Sequence, residues 1–300
     1  MLLSEFILGA IAFIMLGLSV ITFSIYYAYR TRENLVRALT FALLGLAFLA
    51  ALYYHSTKIN LILIYRGAFG FENPAGLAFA LMIDLLPFRG PPVLLFSTFT
   101  ALASPEVYTP GGLDLALIAV SKLLLVAGLV ALVYQAVVIY LREVLGSRAL
   151  LLVAAAGLLA LTSLGVTVAL ASAVRGPLGE ADEASARTMM NLSSLTLLAL
   201  AAVSLAAPYS YFKIYRETGE RSYLLQAAGL FLLILFIGHL AGVTSALTLG
   251  IAESAVASFE AQASIQRLYL AMGVLVVAHS LFMVPGMVLE ITPPGGEEEV

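Results

Sequence analysis

Residues Tyr223–Gly250 read YLLQAAGLFLLILFIGHLAGVTSALTLG, a run without a single Asp, Glu, Lys or Arg. An α-helix needs about 20 mostly apolar residues to cross the hydrocarbon core of a bilayer. This run is longer than that, and its only titratable side chains are Tyr223 at the start and His239 in the interior. It therefore predicts a transmembrane helix that carries one unexplained imidazole.

Runs of the same kind recur along the whole chain. They predict spanning helices at about 6–29, 35–57, 113–141, 149–174, 190–212, 223–250 and 265–289. Hydrophobic residues make up 62% of the 300 residues and charged residues 11%, which is more apolar surface than a soluble domain could cover. We expect one all-α polytopic membrane domain over residues 1–300, a bundle of about seven helices in the lipid bilayer.

The connections between these helices differ in charge. Three short turns, at 29–34, 142–148 and 213–221, are rich in Arg and Lys. The positive-inside rule assigns such turns to the cytoplasm. We therefore expect a multi-pass cell-membrane protein with its N-terminus outside and the acidic tail at 291–300 in the cytoplasm.

The segment between the second and third helices does not fit this pattern. Its two apolar runs, 76–86 and 93–103, are each too short to span and are separated by a proline-rich stretch at 87–92. We expect residues 58–112 to form an extracytoplasmic cap or a re-entrant segment, irregular over about 66–110. Two crossings by short helices remain the alternative.

The first and third helical hairpins share a pattern. The matched positions are Tyr29 with Tyr215, Arg30 with Arg216, Gly45 with Gly229, and His55 with His239. In the second hairpin, Thr167 stands where the histidine would be. Three parallel hairpins plus a lone seventh helix would resemble the repeats of some transporters, and a chance alignment of Leu-rich and Ala-rich helices is the alternative.

All three histidines of the chain fall in predicted spanning helices: His55, His239 and His279. An ionisable group costs at least a few kcal/mol near the bilayer centre, so each needs a partner or a function. Counted from the predicted helix ends, His239 and His279 lie within about one helical turn of each other in depth, on neighbouring antiparallel helices. The alternative is that each histidine hydrogen-bonds across a helix interface.

Lys122 is the other ionisable residue that we single out. It lies about three turns into the third helix, with Asp84 and Asp114 as candidate counter-ions. Its long stem could also carry the ammonium out to the interface. Gly238 and Gly242 form a small-xxx-small pair, which usually indicates close helix packing.

These residues predict a b-type haem between transmembrane helices. His239 and His279 would be the axial metal ligands, with His55 and His239 as the second choice, and Lys122 would face a propionate. Such a protein would pass electrons between quinone and an outer-face partner, alongside other membrane or extracytoplasmic subunits. No catalytic residue is predicted, and whether the chain is an enzyme is left open.

Three other functions fit the same sequence. One is a solute or ion transporter or channel on parallel hairpin repeats, with Lys122, Gln135 and the histidines along a polar path. A second is an intramembrane three-histidine zinc hydrolase, and a third is a non-catalytic structural or assembly subunit. The lack of cysteine excludes thiolate and iron–sulfur sites, and the net charge of −3 excludes nucleic acid as a partner. The scarcity of thermolabile residues suits a thermophile.

Overall fold

The computed structural model describes residues 3–69, 112–173, 180–250 and 255–291, and every element within them is a helix. Seven of these helices are long and apolar enough to cross a membrane. The prediction of an all-α bundle of about seven spanning helices is thus confirmed. The helices are α1 (Leu3–Tyr29), α2 (Arg32–Phe69), α3 (Gly112–Tyr134), α4 (Arg148–Ala173), α5 (Glu180–Ser204 and Ala206–Thr218), α6 (Arg221–Gly250) and α7 (Ala255–Ile291).

Several helices extend beyond the predicted spans. Helix α2 continues to Phe69 rather than ending near 57, and α7 begins at Ala255 rather than near 265. Hydropathy marks only the part of a helix that suits lipid, whereas backbone hydrogen bonds continue a helix through polar turns beyond it. The rest of the predicted outer segment, residues 70–111, and the tail from 292 onwards lie outside the described residues.

The seven helices are arranged as a closed ring. Each helix packs against the next one in the chain, α1 packs against α7, and α3 also reaches α5. Helices α2 and α3 are antiparallel, because Leu44 meets Gly128 while Arg37 meets Tyr140. The three basic turns and the end of α7 therefore lie at one end of the bundle, which we call the basic end.

Close approaches between helices fix the ring from inside. A Cβ atom on Gly45 would lie 2.8 Å from Leu16 Cγ, and one on Gly229 would lie 3.0 Å from Met283 Cβ. By contrast, a Cβ on Gly238 would meet nothing within 4 Å. Gly242, the other member of the small-xxx-small pair, lies outside the described side chains, so close packing by the pair stays a prediction.

An aromatic contact closes the middle of the ring. Phe48 on α2 and Phe236 on α6 are both buried, and their ring centroids lie 5.5 Å apart in an edge-to-face arrangement. The helices that carry them are not neighbours in the ring, so the contact crosses its interior. Phe48 follows Ala47, whose carbonyl oxygen accepts from Ser121 Oγ of α3 at 3.0 Å. Buried apolar residues such as Leu129 lie between this level and the basic end.

Candidate functional site: two polar clusters in the bundle

The larger of two polar clusters lies at the basic end and joins five helices. We call it the basic-end cluster and define it as Glu33 and Arg37 of α2, Gln135 and Tyr140 after α3, Tyr211 of α5, Gln226 of α6 and Glu290 of α7. Each member hydrogen-bonds to another member or forms an ion pair with it. The cluster therefore fills the interior of the ring with polar groups where apolar side chains would be expected.

Arg37 is the centre of this cluster and is only 1% exposed. Its Nη1 donates to Glu290 Oε2 at 2.7 Å, and its Nη2 donates to Glu33 Oε1 at 2.9 Å. The guanidinium carbon also lies 5.6 Å from the centre of the Tyr211 ring, within the range of a cation–π contact. In the ring α1 lies between α2 and α7, so the bond to Glu290 joins two helices that are not neighbours.

Glu290 is held from a second side by Gln226. The amide Nε2 of Gln226 donates to Glu290 Oε2 at 2.9 Å and to the carbonyl oxygen of Gly286 at 3.3 Å. Gln226 is fully buried, and its Oε1 has no hydrogen-bond partner in the described part of the chain. The carboxylate of Glu290 thus accepts a charge-assisted bond and an amide bond on one oxygen, a firm attachment of α7.

A π-helical turn at Gln135–Tyr140 brings two side chains of the third helix into the cluster. In an α-helix, residues five positions apart point about 140° away from each other. The wider turn brings them to one side, so that Gln135 Nε2 lies 3.4 Å from the Tyr140 hydroxyl and 3.1 Å from that of Tyr211. Tyr140 in turn donates to Glu33.

The formal charges of the cluster do not cancel. One guanidinium faces two carboxylates, so the three ionised groups sum to −1. The side chains of Glu33 and Glu290 are 33% and 19% exposed, whereas Arg37 is 1% exposed. Water can therefore reach the carboxylates but not the cation that holds them.

The second cluster lies about 27 Å from the basic end, since Lys122 precedes Tyr140 by 18 residues. Lys122 Nζ donates to Ser193 Oγ at 3.3 Å, and Ser193 Oγ lies 3.1 Å from Thr167 Oγ1. These residues come from α3, α5 and α4, and we call them the lysine cluster. No described carboxylate pairs with Lys122, and the predicted counter-ions Asp84 and Asp114 lie outside the described side chains.

The hydrogen bonds of the lysine cluster all run in one direction. Thr167 donates its hydroxyl proton to the carbonyl oxygen of Ser163, so it can only accept from Ser193. Ser193 therefore donates to Thr167 and accepts from Lys122. The Ser193 oxygen accepts from the ammonium and the Thr167 oxygen accepts from Ser193, so this chain of bonds polarises toward the cation without neutralising its charge.

Two further serine hydroxyls lie beside this chain of bonds without partners. Ser163 precedes Thr167 by one helical turn on the same face of α4, and Ser194 follows Ser193. Both are buried, and neither Oγ has a hydrogen-bond partner among the described residues. An unsatisfied buried hydroxyl costs about 1–3 kcal/mol, so both are donors left without a described acceptor on the helices that carry Thr167 and Ser193.

The structure separates the two histidines that were expected to meet. The contacts of Gly229 with Met283 and of Gln226 with Gly286 fix the register of α6 and α7. In that register, His239 lies about 9 Å farther from the basic end than the residue facing His279. The predicted match in depth within one helical turn is wrong, because side-chain contacts between α6 and α7 fix their register and the ends of the apolar runs do not.

Each histidine bonds to a backbone carbonyl instead. His279 is fully buried and its Nδ1 donates to Gly229 O at 2.7 Å, which leaves Nε2 without a described partner. His239 donates from Nδ1 to Leu235 O of its own helix at 2.8 Å. The side chain of His55 lies outside the described residues. Haem binding stays a prediction, now without the shared depth that motivated it.

The described part of the chain also contains no group of three His, Cys, Asp or Glu side chains placed to hold a metal ion. A three-histidine zinc site is therefore not formed by His239 and His279 with other described residues.

Sequence reasoning missed most of the basic-end cluster. Tyrosines near the ends of spanning helices usually lie at the membrane interface, as Tyr27 does with 68% exposure, yet Tyr211 is only 2% exposed. A signal was present in Glu290, a carboxylate flanked by Leu and Ile directly after the last predicted span. The i, i+4 pair of Glu33 and Arg37 was a second one.

The fold and the two clusters define the class of this protein: a multi-pass α-helical bundle, apolar enough for the bilayer, with ionisable groups inside it. In comparisons with protein-family models, curated proteins and solved structures, none matches this chain. Its function has to be argued from its own residues.

Proposed function

We propose that this chain is a membrane carrier for a small solute or ion, in a conformation closed at the basic end. The observation that carries the proposal is the Arg37–Glu290 ion pair, which joins non-adjacent walls of the ring. A pathway through the ring would have to pass this point. Opening it requires breaking specific polar contacts, which is how a gate differs from a packed core.

The composition of the cluster favours a gate over a static support. Replacing a buried ion pair by apolar side chains of similar volume is often neutral or stabilising. A purely structural bundle would therefore gain nothing from the charges on Arg37 and Glu290. Ionisable groups within spanning helices more often mark ion pathways, relays or substrate sites.

The two clusters also share helices. Lys122 and Gln135 lie on the same helix, and their partners Ser193 and Tyr211 both lie on α5. Buried apolar residues of the third helix, such as Leu129, lie between the two levels. This order, a polar site, an apolar seal and a charged closure, suits a carrier that exposes one side at a time.

The positive-inside rule completes the orientation of the proposed carrier. Exposed cations such as Arg142, Arg148 and Arg216 lie at the basic end, which we assign to the cytoplasm. The basic-end cluster is then the inner gate, and the lysine cluster faces the outside.

A single introduced cysteine tests the gate directly, because the chain has no cysteine of its own. Leu129→Cys places a thiol on α3 at a fully buried position between the clusters. We expect a membrane-impermeant thiol reagent added at the basic end of sealed vesicles to label it slowly. Adding Glu290→Gln should speed labelling about tenfold, the effect of weakening the closed state by about 1.4 kcal/mol.

The matched control is Glu143→Gln, which makes the same chemical change at an exposed carboxylate of the basic end. It should leave the labelling rate unchanged. The same variants are then reconstituted in liposomes and assayed for flux of acetate, chloride, potassium and glycerol. Unchanged labelling by Glu290→Gln, together with no flux of any of the four, would refute a carrier and leave a structural subunit.

A further inference from the structure

We propose that the lysine cluster is a binding site for a small monovalent anion, a carboxylate or a halide, which serves as the carried species. The inference rests on the proposed function and names its substrate class. It starts from the ammonium of Lys122, whose described partner is a neutral hydroxyl.

The hydrogen-bond directions show which donors of Lys122 have no acceptor in the described part of the chain. Ser193 accepts from the cation and donates to Thr167, and Thr167 donates in turn to the backbone carbonyl of Ser163. Of the three N–H groups of Lys122, one is used on Ser193. The other two have no acceptor among the described residues, and an anion supplies both the acceptor and the missing charge.

Two independent features point to the same ligand. The Oγ atoms of Ser163 and Ser194 are buried donors without described partners, and they lie on the two helices that carry Thr167 and Ser193. Lys122 itself is partly exposed, so a ligand can reach it. A hydroxyl donates to a halide or a carboxylate as readily as to water, so these serines complete a donor set for an anion.

The single positive charge of Lys122 predicts that the ligand carries one negative charge. One ammonium, dispersed over two hydroxyls, balances one negative charge and leaves a second one uncompensated in apolar surroundings. A dianion such as phosphate at high pH should therefore bind more weakly than acetate or chloride. We accordingly use sodium acetate and sodium chloride as probes, with sodium gluconate, a bulky anion, to match ionic strength.

The test is thermal unfolding of the purified full chain in detergent. Acetate or chloride should raise the unfolding midpoint saturably, by about 5 °C at a hundredfold excess over the dissociation constant. Gluconate should have no such effect. Lys122→Met should lose the shift completely, and Lys122→Arg, which keeps the charge, should retain most of it.

Three results would overturn the site. The first is no saturable shift with either probe, and the second is the same shift in Lys122→Met, which would indicate a general salt effect. The third is a shift that appears only in Asp84→Asn or Asp114→Asn, which would identify a resident carboxylate as the partner of Lys122. Ser163→Ala provides a milder check, since it removes one proposed donor and should weaken binding severalfold.

Failure here can be told apart from failure of the carrier proposal. Labelling of Leu129→Cys depends on the basic-end cluster and not on Lys122. If labelling responds to Glu290→Gln but no anion shifts the midpoint, the gate stands and the substrate class is wrong. If anions bind through Lys122 without labelling or flux, the site stands and the carrier is refuted.

Discussion

We expect Arg37→Met to lower the free energy of unfolding substantially. Methionine keeps much of the apolar stem but leaves Glu33 and Glu290 without their cation. Removing one partner of a buried ion pair costs about 3–5 kcal/mol. The two carboxylates are 33% and 19% exposed, so water offsets part of this, and we expect about 3 kcal/mol.

Removing the carboxylates as well should reverse most of that loss. In the triple variant Glu33→Gln, Arg37→Met and Glu290→Gln, no charge is left without a partner. Amide side chains can still accept from Tyr140 and donate to each other, and the desolvation cost of the ions is gone. The free energy of unfolding should return to within about 1 kcal/mol of the parent chain.

The assay is denaturation by sodium dodecyl sulfate in mixed micelles, followed by far-ultraviolet circular dichroism. It is run on the single, double and triple variants so that the coupling energies follow from the cycle. A single Arg37→Met variant as stable as the parent would refute the central role of the cation. A triple variant as unstable as the single one would show that shape, and not charge, explains the loss.

Two further changes test the packing and the histidines. Gly45→Ala should lower the free energy of unfolding by about 1–3 kcal/mol, because its Cβ would press on Leu16. The control Gly157→Ala adds a Cβ in open space and should raise it by up to about 1 kcal/mol in the same denaturation assay. Equal effects of the two changes would contradict the close approach at Gly45. His279→Leu should cost about 1 kcal/mol by removing the bond to Gly229 O. A Soret band in protein from a haem-replete host, lost in His279→Leu, would instead support the haem prediction.

The spans could be predicted from the sequence, because hydropathy reports the property that decides burial in lipid. The run that contains His239 is a helix from Arg221 to Gly250, as its composition predicts. The helix ends could not be predicted, since they depend on polar turns for which hydropathy gives no signal. The position of His279 against α6 could not be predicted either, because it depends on contacts such as that of Gly229 with Met283 and not on the ends of the apolar runs.

The basic-end cluster could not be predicted for a different reason. Its members are distant in the chain: Arg37 and Glu290 are 253 positions apart. Their pairing requires knowledge of how α1 closes the ring against α7, which no local pattern shows. The inward turn of Tyr140 depends further on a π-helical turn, and the apolar sequence around Gln135 gives no warning of one.

An ionic closure is physically suited to the opening that a carrier needs. Separating α2 from α7 exposes Glu33 and Glu290 to more water, and their gain in hydration offsets much of the lost attraction to Arg37. Opening a purely apolar seal gains no such hydration energy, because it exposes apolar side chains to water, which is unfavourable. The closed state of the basic end is then favoured by only a few kcal/mol, which is the range that differential binding of a ligand can reverse. In the proposed carrier, binding of an anion at the lysine cluster would therefore be able to shift the equilibrium between the closed and open states of the basic-end cluster.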